Sequence, residues 1–254
     1  EPTDHARFAV DFLLEQLKIT KHPPMTITIN SDIPAGYHLG SSAAVAVALS
    51  GAVVYFFKKL WNPMKINELA YEIEKKQHGN PSGGDNTTVT VGGFVWFRKE
   101  LEFLKSIWQL PLKLSSALNH FHLIDTGRPK ENTGEMVAYV HTNYLIHTAQ
   151  YKKLFDINEE QTKRITVAIK EGDEKTLIDA IRKGQRSLEG MGVVSKKVTP
   201  LIRKIEKSGG AAKILGGGGR VDGVGYLLCY THNPPKGSIS ITLGEEGIRL
   251  ESKS

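Results

Sequence analysis

The feature that most constrains the fold is a loop with glycines and serines placed directly before a long apolar run. The loop covers residues 32–42, and the run extends over fifteen residues from Ala43 to Phe57. Met25–Ile29, before the loop, alternates apolar residues with threonine, which predicts a β-strand. The run is interrupted by Ser50 and Gly51 and is too short to span a bilayer as a helix, so it predicts a buried helix.

A strand, a glycine loop and a helix in this order predict an anion site. Backbone N–H groups at a helix start lack partners within the helix, and the helix dipole adds positive charge there. Gly36 and Gly40 let the backbone approach a ligand closely. Ser41 or Ser42 can cap the helix, and one hydroxyl could bind Mg²⁺ beside a phosphate. The alternative is a well-capped core helix without a ligand.

Two carboxylates follow the apolar run, eleven residues apart. Glu74 lies late in an amphipathic helix predicted over 66–77, and Asp85 follows a predicted turn at 80–84. In phosphoryl transfer, one carboxylate can hold Mg²⁺ while another orients or deprotonates the acceptor alcohol. The alternative is an exposed helix glutamate and an aspartate that caps a helix.

The remaining pattern indicates an α+β fold, with two lobes that meet near residue 118. Helices are predicted at 4–18, at 41–59 and over 133–208, the last with breaks near 156–158, 172–173 and 190–192. Paired strands are predicted at 88–97 and 101–107, a strand at 121–125, and a second pair at 225–230 and 238–243.

Composition excludes several classes of protein. The single cysteine, Cys229, excludes an internal disulfide framework and a cysteine-based zinc site. It also indicates a reducing compartment, so we expect a cytoplasmic protein. Lys and Arg outnumber Asp and Glu by 33 to 27, but these basic residues are scattered, so we expect no nucleic-acid partner. No secretory signal or membrane anchor is predicted either.

Residues 34–44, Pro-x-Gly-x-x-Leu-Gly-Ser-Ser-Ala-Ala, resemble the second motif of the GHMP kinases, which wraps the phosphates of ATP. Tyr37 and His38, at the tip of the loop, are predicted to be surface residues or contacts of the adenine. The ATP-binding residues that the resemblance implies are Pro34, Gly36, Leu39, Gly40, Ser41, Ser42 and Ala43.

Residues 78–86, His-Gly-Asn-Pro-Ser-Gly-Gly-Asp-Asn, resemble the mevalonate kinases in particular. In that group the aspartate faces the acceptor hydroxyl, and a glutamate eleven residues earlier joins a serine on Mg²⁺. The resemblance therefore implies Asp85 as the catalytic residue and Glu74, with Ser41 or Ser42, as metal ligands.

Residues 125–133 resemble the mevalonate kinase stretch Asn-Thr-x-x-Pro-Arg-Asn-Thr, with one extra residue. The resemblance implies that Thr133 contacts the acceptor and that Arg128 or Lys130 pairs with its carboxylate. The alternative is that both basic residues are solvated loop charges. Asn132 and Thr133 are also predicted to cap the helix that follows.

Residues 212–220 resemble the third GHMP kinase motif, whose backbone lies against the substrate, which implies contacts from Gly216 and Gly217. Leu215 stands where the family usually has a hydroxyl residue, and Arg220–Gly225 is an added polar excursion. Residues 185–194 resemble the helix break that packs against the active site in mevalonate kinases.

The resemblance implies a two-lobed GHMP kinase fold. A lobe like domain 2 of ribosomal protein S5 would bind ATP at 1–118, and a ferredoxin-like lobe with added helices would follow at 119–254. The family's opening Pro-Gly-Lys motif does not occur in residues 1–254. We therefore expect either that the first strands of the N-terminal lobe lie outside this chain or that the protein works without them.

The implied activity is ATP- and Mg²⁺-dependent phosphorylation of mevalonate to 5-phosphomevalonate, in the mevalonate route to isoprenoid precursors. Its partners would be ATP and mevalonate, and a homodimer is left open. One alternative is a phosphomevalonate or sugar kinase of the same superfamily. Another is a non-catalytic nucleotide-binding protein derived from such a kinase.

Overall fold

The computed structural model describes residues 2–78, 81–101 and 103–251, and the chain divides into two compact units. Unit 1 comprises Glu1–Ile33, Gly40–Pro111 and Gly244–Ser254, and unit 2 comprises Pro34–Leu39 and Leu112–Leu243. Helices and strands occupy separate stretches of the chain, so the α+β prediction is confirmed. The domain ranges 1–118 and 119–254 stay a prediction.

Unit 1 is built around the apolar run, which forms helix α2 as predicted. Helix α1 (Pro2–Gln16), α2 (Ser41–Lys58), α3 (Pro63–His78) and α4 (Gly84–Val91) pack on one another. Within the described part of the chain, α2 is the one helix long and apolar enough to cross a membrane. The buried side of α2 belongs to the hydrophobic core of unit 1. This core contains Ala46, Val47, Leu49, Val53 and Val54 of α2, together with Leu13, Ile66 and Ile73.

The strand predicted at Met25–Ile29 is wrong. These residues belong to no strand or helix, and Ile27 and Ile29 are 41% and 42% exposed. A strand needs a hydrogen-bonded neighbour, and no described strand pairs with this segment. The alternating pattern is present in the sequence, but such a pattern does not indicate whether a neighbouring strand is available for pairing.

The strand predicted at 88–97 is wrong over its first half, because Thr88–Val91 belongs to α4. The hydroxyls of Thr87, Thr88 and Thr90 each donate to the carbonyl four residues earlier, so these polar groups are hydrogen-bonded within the helix. The hairpin itself is present, as β1 (Phe94–Leu101) antiparallel to β2 (Leu104–Leu110).

The last described residues of the chain pack on the end of α4. The Gly93 N–H donates to Glu245 O at 2.7 Å, and the Ile248 N–H donates to Thr90 O at 3.2 Å. Gly92 has a φ of +65°, and a Cβ there would lie 2.1 Å from the backbone nitrogen of Gly247. Glycine at position 92 is therefore required for this close approach.

Unit 2 contains a four-stranded antiparallel sheet. Its strands are β3 (Phe121–Asp125), β4 (Ala211–Ile214), β5 (Tyr226–Tyr230) and β6 (Ile239–Ile241), in the spatial order β4-β5-β3-β6. The predicted pairing of 225–230 with 238–243 is wrong. The unpredicted strand β4 and β3 take the two edges of β5, so β6 pairs with β3 instead.

The helices of unit 2 are α5 (Thr133–Ile146), α6 (Thr148–Glu171), α7 (Glu174–Gly190) and α8 (Thr199–Lys207). The predicted breaks at 172–173 and 190–192 are confirmed, with Gly172 and Gly192 in the left-handed conformation. The break predicted at 156–158 is wrong, because α6 continues through it. Asn158 there donates a hydrogen bond to Ser187 Oγ of α7 at 2.8 Å, so its polar side chain serves helix packing.

Candidate active site

In unit 1, the two serines open helix α2. Gly40 holds the position before the helix with a φ of 71°, and no side chain caps the helix. The predicted serine cap is therefore wrong, because Ser41 and Ser42 are already helical. The first N–H groups of α2 have no partner within the helix, which leaves them able to bind an anion.

The Ser42 hydroxyl donates a hydrogen bond to Glu74 Oε1 of α3, and Gln77 Oε1 lies 3.5 Å from the same hydroxyl. Glu74 is only 7% exposed, and a buried carboxylate is costly unless it is hydrogen-bonded or holds a metal. The structure thus brings Ser42, of the two serines, to Glu74.

A hydroxyl and a carboxylate are oxygen ligands that fit Mg²⁺. No group of three or more His, Cys, Asp or Glu side chains in the described part of the chain could hold a metal. A two-ligand site suits Mg²⁺, which keeps several waters and usually takes its other ligands from substrate phosphates.

Asp85 lies in the first turn of α4, next to the start of α2. A Cβ at Gly40 would lie 3.9 Å from Asp85 Cβ and Cγ, which is van der Waals contact. Desolvation raises the pKa of Asp85 above its ordinary value. A carboxylate that is more basic than usual accepts a proton from an alcohol more readily, so this position suits a general base.

In unit 2, residues 34–39 form the first part of the predicted phosphate loop. The loop takes left-handed φ at Gly36 and His38, and not at Tyr37 between them. A Cβ at Gly36 would lie 2.8 Å from Arg128 Nε, so the guanidinium of Arg128 lies directly against the loop backbone. The structure therefore brings the predicted substrate residue Arg128 to Gly36.

Tyr37 and His38 are half-buried and not fully exposed at the tip of the loop, and their prediction as contacts of the adenine stays a prediction. The Tyr37 ring lies 5.6 Å from that of Tyr226. His38 packs on Gly216, where a Cβ would lie 2.5 Å from His38 Cβ. Burial lowers the pKa of His38, which favours a neutral imidazole. The sequence indicated the packing of His38 on residue 216 only through the glycine at that position, which has no side chain to clash.

Thr133 is the first residue of α5, where its Cα lies 3.6 Å from the position of a Cβ at Gly217. The predicted cap is confirmed at Asn132, whose side chain accepts from the Glu135 N–H at 3.0 Å, while Glu135 accepts from the Asn132 N–H. The capping box holds the start of α5 in place next to the glycine loop.

Lys130, the other predicted carboxylate partner, is engaged within the protein. Its Nζ lies 2.8 Å from Asp222 Oδ2, and this hydrogen bond raises the pKa of Lys130. The same bond, with a second one from Lys197, lowers the pKa of Asp222 to about 2. Asp222 therefore competes with any substrate carboxylate for Lys130, whereas Arg128 has no ion pair among the residues that the structure describes.

The glycine loop at 216–219 packs on the helix break that follows α7. Gly218 has a φ of +71°, and a Cβ there would lie 2.1 Å from Val193 O. The Gly219 N–H donates to the same carbonyl at 3.0 Å. Gln185, fully buried in α7, accepts from the Ile214 N–H at 3.0 Å. Residues 185–194 therefore support the glycine loop.

We expect Gly218→Ala to destabilise the protein by about 3 kcal/mol or more, because the new methyl group meets a carbonyl oxygen and the backbone is left-handed. Gly209→Ala is the matched control. Gly209 also has a positive φ, +92°, but no atom lies within 4 Å of its Cβ position, so only about 1 kcal/mol is expected. Urea denaturation measures both. Equal losses for the two variants would contradict the packing of Gly218 on Val193.

Comparison with known proteins identifies the class. Residues 4–93 match the family model described as GHMP kinases N terminal domain. The structure superposes on an L. major mevalonate kinase in complex with R-mevalonate with a TM-score of 0.70 at 21% identity, covering 91% of this chain and 69% of that one. The fold is that of a GHMP kinase, as predicted.

Relatives in sequence narrow the class further. The chain is 30% identical to the mevalonate kinase of Thermococcus sibiricus, over 99% of this chain and 76% of that relative. It is 31% identical to the mevalonate kinase of Archaeoglobus fulgidus, over 90% of this chain and 74% of that relative. The chain belongs to the mevalonate kinase family.

Proposed function

We propose that this protein transfers the γ-phosphoryl group of ATP to the 5-hydroxyl of mevalonate and releases ADP. The observation that carries the proposal is the cluster in unit 1: Ser42 bonded to buried Glu74 at the start of α2, with Asp85 beside Gly40. It supplies a metal-ligand pair and a proton acceptor next to a helix start that suits phosphates.

The N–H groups of the glycine loop and of the first turn of α2 bind the phosphates of ATP in this proposal. Pro34 and Leu39 shape the loop, Gly36 and Gly40 let it approach the ligand, and Ala43 contributes a helix N–H. Ser42 and Glu74 would hold Mg²⁺, and Ser41 would contact the phosphates. Bound Mg²⁺ neutralises charge on the β- and γ-phosphates.

Asp85 acts on the acceptor. As the 5-oxygen of mevalonate forms its bond to the γ-phosphorus, the bond from that phosphorus to the β–γ bridging oxygen breaks, and Asp85 takes the hydroxyl proton. Arg128 pairs with the mevalonate carboxylate. Lys130 forms an ion pair with Asp222 and does not contact mevalonate directly in this proposal. Thr133, Gly216 and Gly217 contact the acceptor. We also expect a cytoplasmic protein, and a homodimer stays open.

The test is ADP release by the chain in the presence of ATP, with mevalonate, 5-phosphomevalonate or galactose as acceptor. We expect release that depends on mevalonate and stops when Mg²⁺ is chelated. Preferential release with either of the other acceptors would favour a phosphomevalonate or sugar kinase. No release with any acceptor, although ATP binds, would favour a non-catalytic nucleotide-binding protein.

A further inference from the structure

Unit 2 contains a cavity that the proposed function does not use. Its volume is about 460 Å³, and its lining includes Tyr139, Gly192, Val194, Lys196, Thr199 and Arg220. None of the proposed ATP- or mevalonate-binding residues lines it. Arg220 is the first residue of the polar excursion at 220–225, so this excursion supplies part of the lining. We call it the Arg220 cavity.

The side chain of Arg220 stacks on an aromatic ring, which fixes the position of its guanidinium group. Its guanidinium carbon lies 3.9 Å from the centroid of the Tyr139 ring. Tyr139 packs in turn on Gly192, where a Cβ would lie 2.7 Å from its hydroxyl oxygen. A stacked guanidinium keeps its N–H groups at the edge, where they can bind a planar or tetrahedral anion with two hydrogen bonds.

The charge around the cavity is positive. Arg220 and Lys196 form no ion pair among the described residues. One carboxylate, Glu189, also lines the cavity, but it is paired with Arg203 and with Arg186, whose Nη1 lies 3.2 Å from Glu189 Oε1. Glu189 is therefore already neutralised and leaves the two cations available.

We propose that the Arg220 cavity binds a small phosphomonoester with a short aliphatic chain. A phosphate monoester carries nearly two negative charges at neutral pH, which matches the positive charges of Arg220 and Lys196. The volume exceeds what a phosphate ion fills, and Val194 with Val221 provides apolar surface for the chain. The ligand is therefore amphipathic and small.

The lining of the Arg220 cavity is connected to the candidate acceptor loop. The backbone N–H of Arg220 donates to Glu131 Oε2 at 3.4 Å, and Asp222, two residues later, pairs with Lys130. Residues 130–131 lie between Arg128 and Thr133, the two residues proposed to bind mevalonate. The cavity is therefore connected to the loop that carries the proposed substrate residues, although none of them lines it.

The experiment is a titration of the isotope-labelled chain with n-butyl phosphate, followed by the amide NMR signals of Gly192, Val194 and Thr199. We expect saturable shifts at millimolar ligand. Arg220→Gln should weaken binding about tenfold or more, because a charge-assisted pair of hydrogen bonds is lost. Lys236→Gln, which removes one exposed positive charge outside the cavity, should leave the affinity unchanged.

Inorganic phosphate is the second probe, and it should bind several-fold more weakly than butyl phosphate because it lacks the chain. Shifts at residues 192–199 that do not saturate, or that persist in Arg220→Gln, would overturn the site. Equal affinity for the two probes would overturn the apolar part of the proposal. Phosphate binding at the loop of residues 36–43 gives separate signals, so the result does not depend on kinase activity.

Discussion

Asp85→Asn should lower the rate of phosphoryl transfer to mevalonate by about 10²- to 10⁴-fold, the range expected when a positioned general base is removed. Asparagine keeps the size of the side chain and its place beside Gly40, but it cannot accept a proton. Mg-ATP binding should change little, because the proposed role of Asp85 is on the acceptor side. Steady-state kinetics and nucleotide titration measure the two effects.

Asp11→Asn is the control, since it removes a carboxylate from the exposed side of α1 and should leave turnover unchanged. The pH profile adds a second check. Desolvation raises the pKa of Asp85 above 3.8, so activity should fall as the pH drops through that raised pKa and protonates the base. Wild-type turnover in Asp85→Asn would show that Asp85 is not the proton acceptor.

Glu74→Gln should raise the Mg²⁺ concentration needed for half-maximal turnover and lower the maximal rate by about 10²-fold or more. The amide keeps the hydrogen bond with the Ser42 hydroxyl but carries no charge to hold the metal or to balance it near the phosphates. Turnover measured over a range of Mg²⁺ concentrations, at saturating ATP and mevalonate, separates the two effects.

Glu72→Gln is the matched control, because Glu72 lies two residues earlier on α3 and is exposed, whereas Glu74 is buried. Ser42→Ala should reproduce the change in Mg²⁺ dependence, and Ser41→Ala should not. An unchanged Mg²⁺ requirement in Glu74→Gln, with a folded protein, would remove Glu74 from the proposed metal site.

Local patterns predicted the local features of this fold well. The apolar run predicted α2, and Asn132 and Gly172 predicted a helix start and a helix end, because these signals act within one or two turns. The carboxylates Glu74 and Asp85 could be selected from their spacing and from the family resemblance. The sequence did not distinguish which serine contacts Glu74, because that depends on the face of α2 that packs on α3.

Features that depend on distant residues were missed. Strand pairing is an example, because β6 had two candidate neighbours, β5 and β3, and strand β4, which pairs with β5, was unrecognised. The threonines of α4 have β-branched side chains that favour strands, and the packing of α4 on α2 and α3 overrides that preference. The stacking of Arg220 on Tyr139 joins residues far apart in the sequence, and no periodicity reports such a contact.

The return of residues 244–251 to α4 has a consequence for dividing the protein. Unit 1 combines residues before 112 with residues after 243, and unit 2 contains residues 34–39 and those between, so neither unit corresponds to one half of the sequence. Any single cut between residues 112 and 243 leaves Gly92 and Gly247 on different fragments. Fragments made by limited proteolysis must therefore stay associated to keep unit 1 intact, and purified alone, the N-terminal fragment lacks part of its own fold.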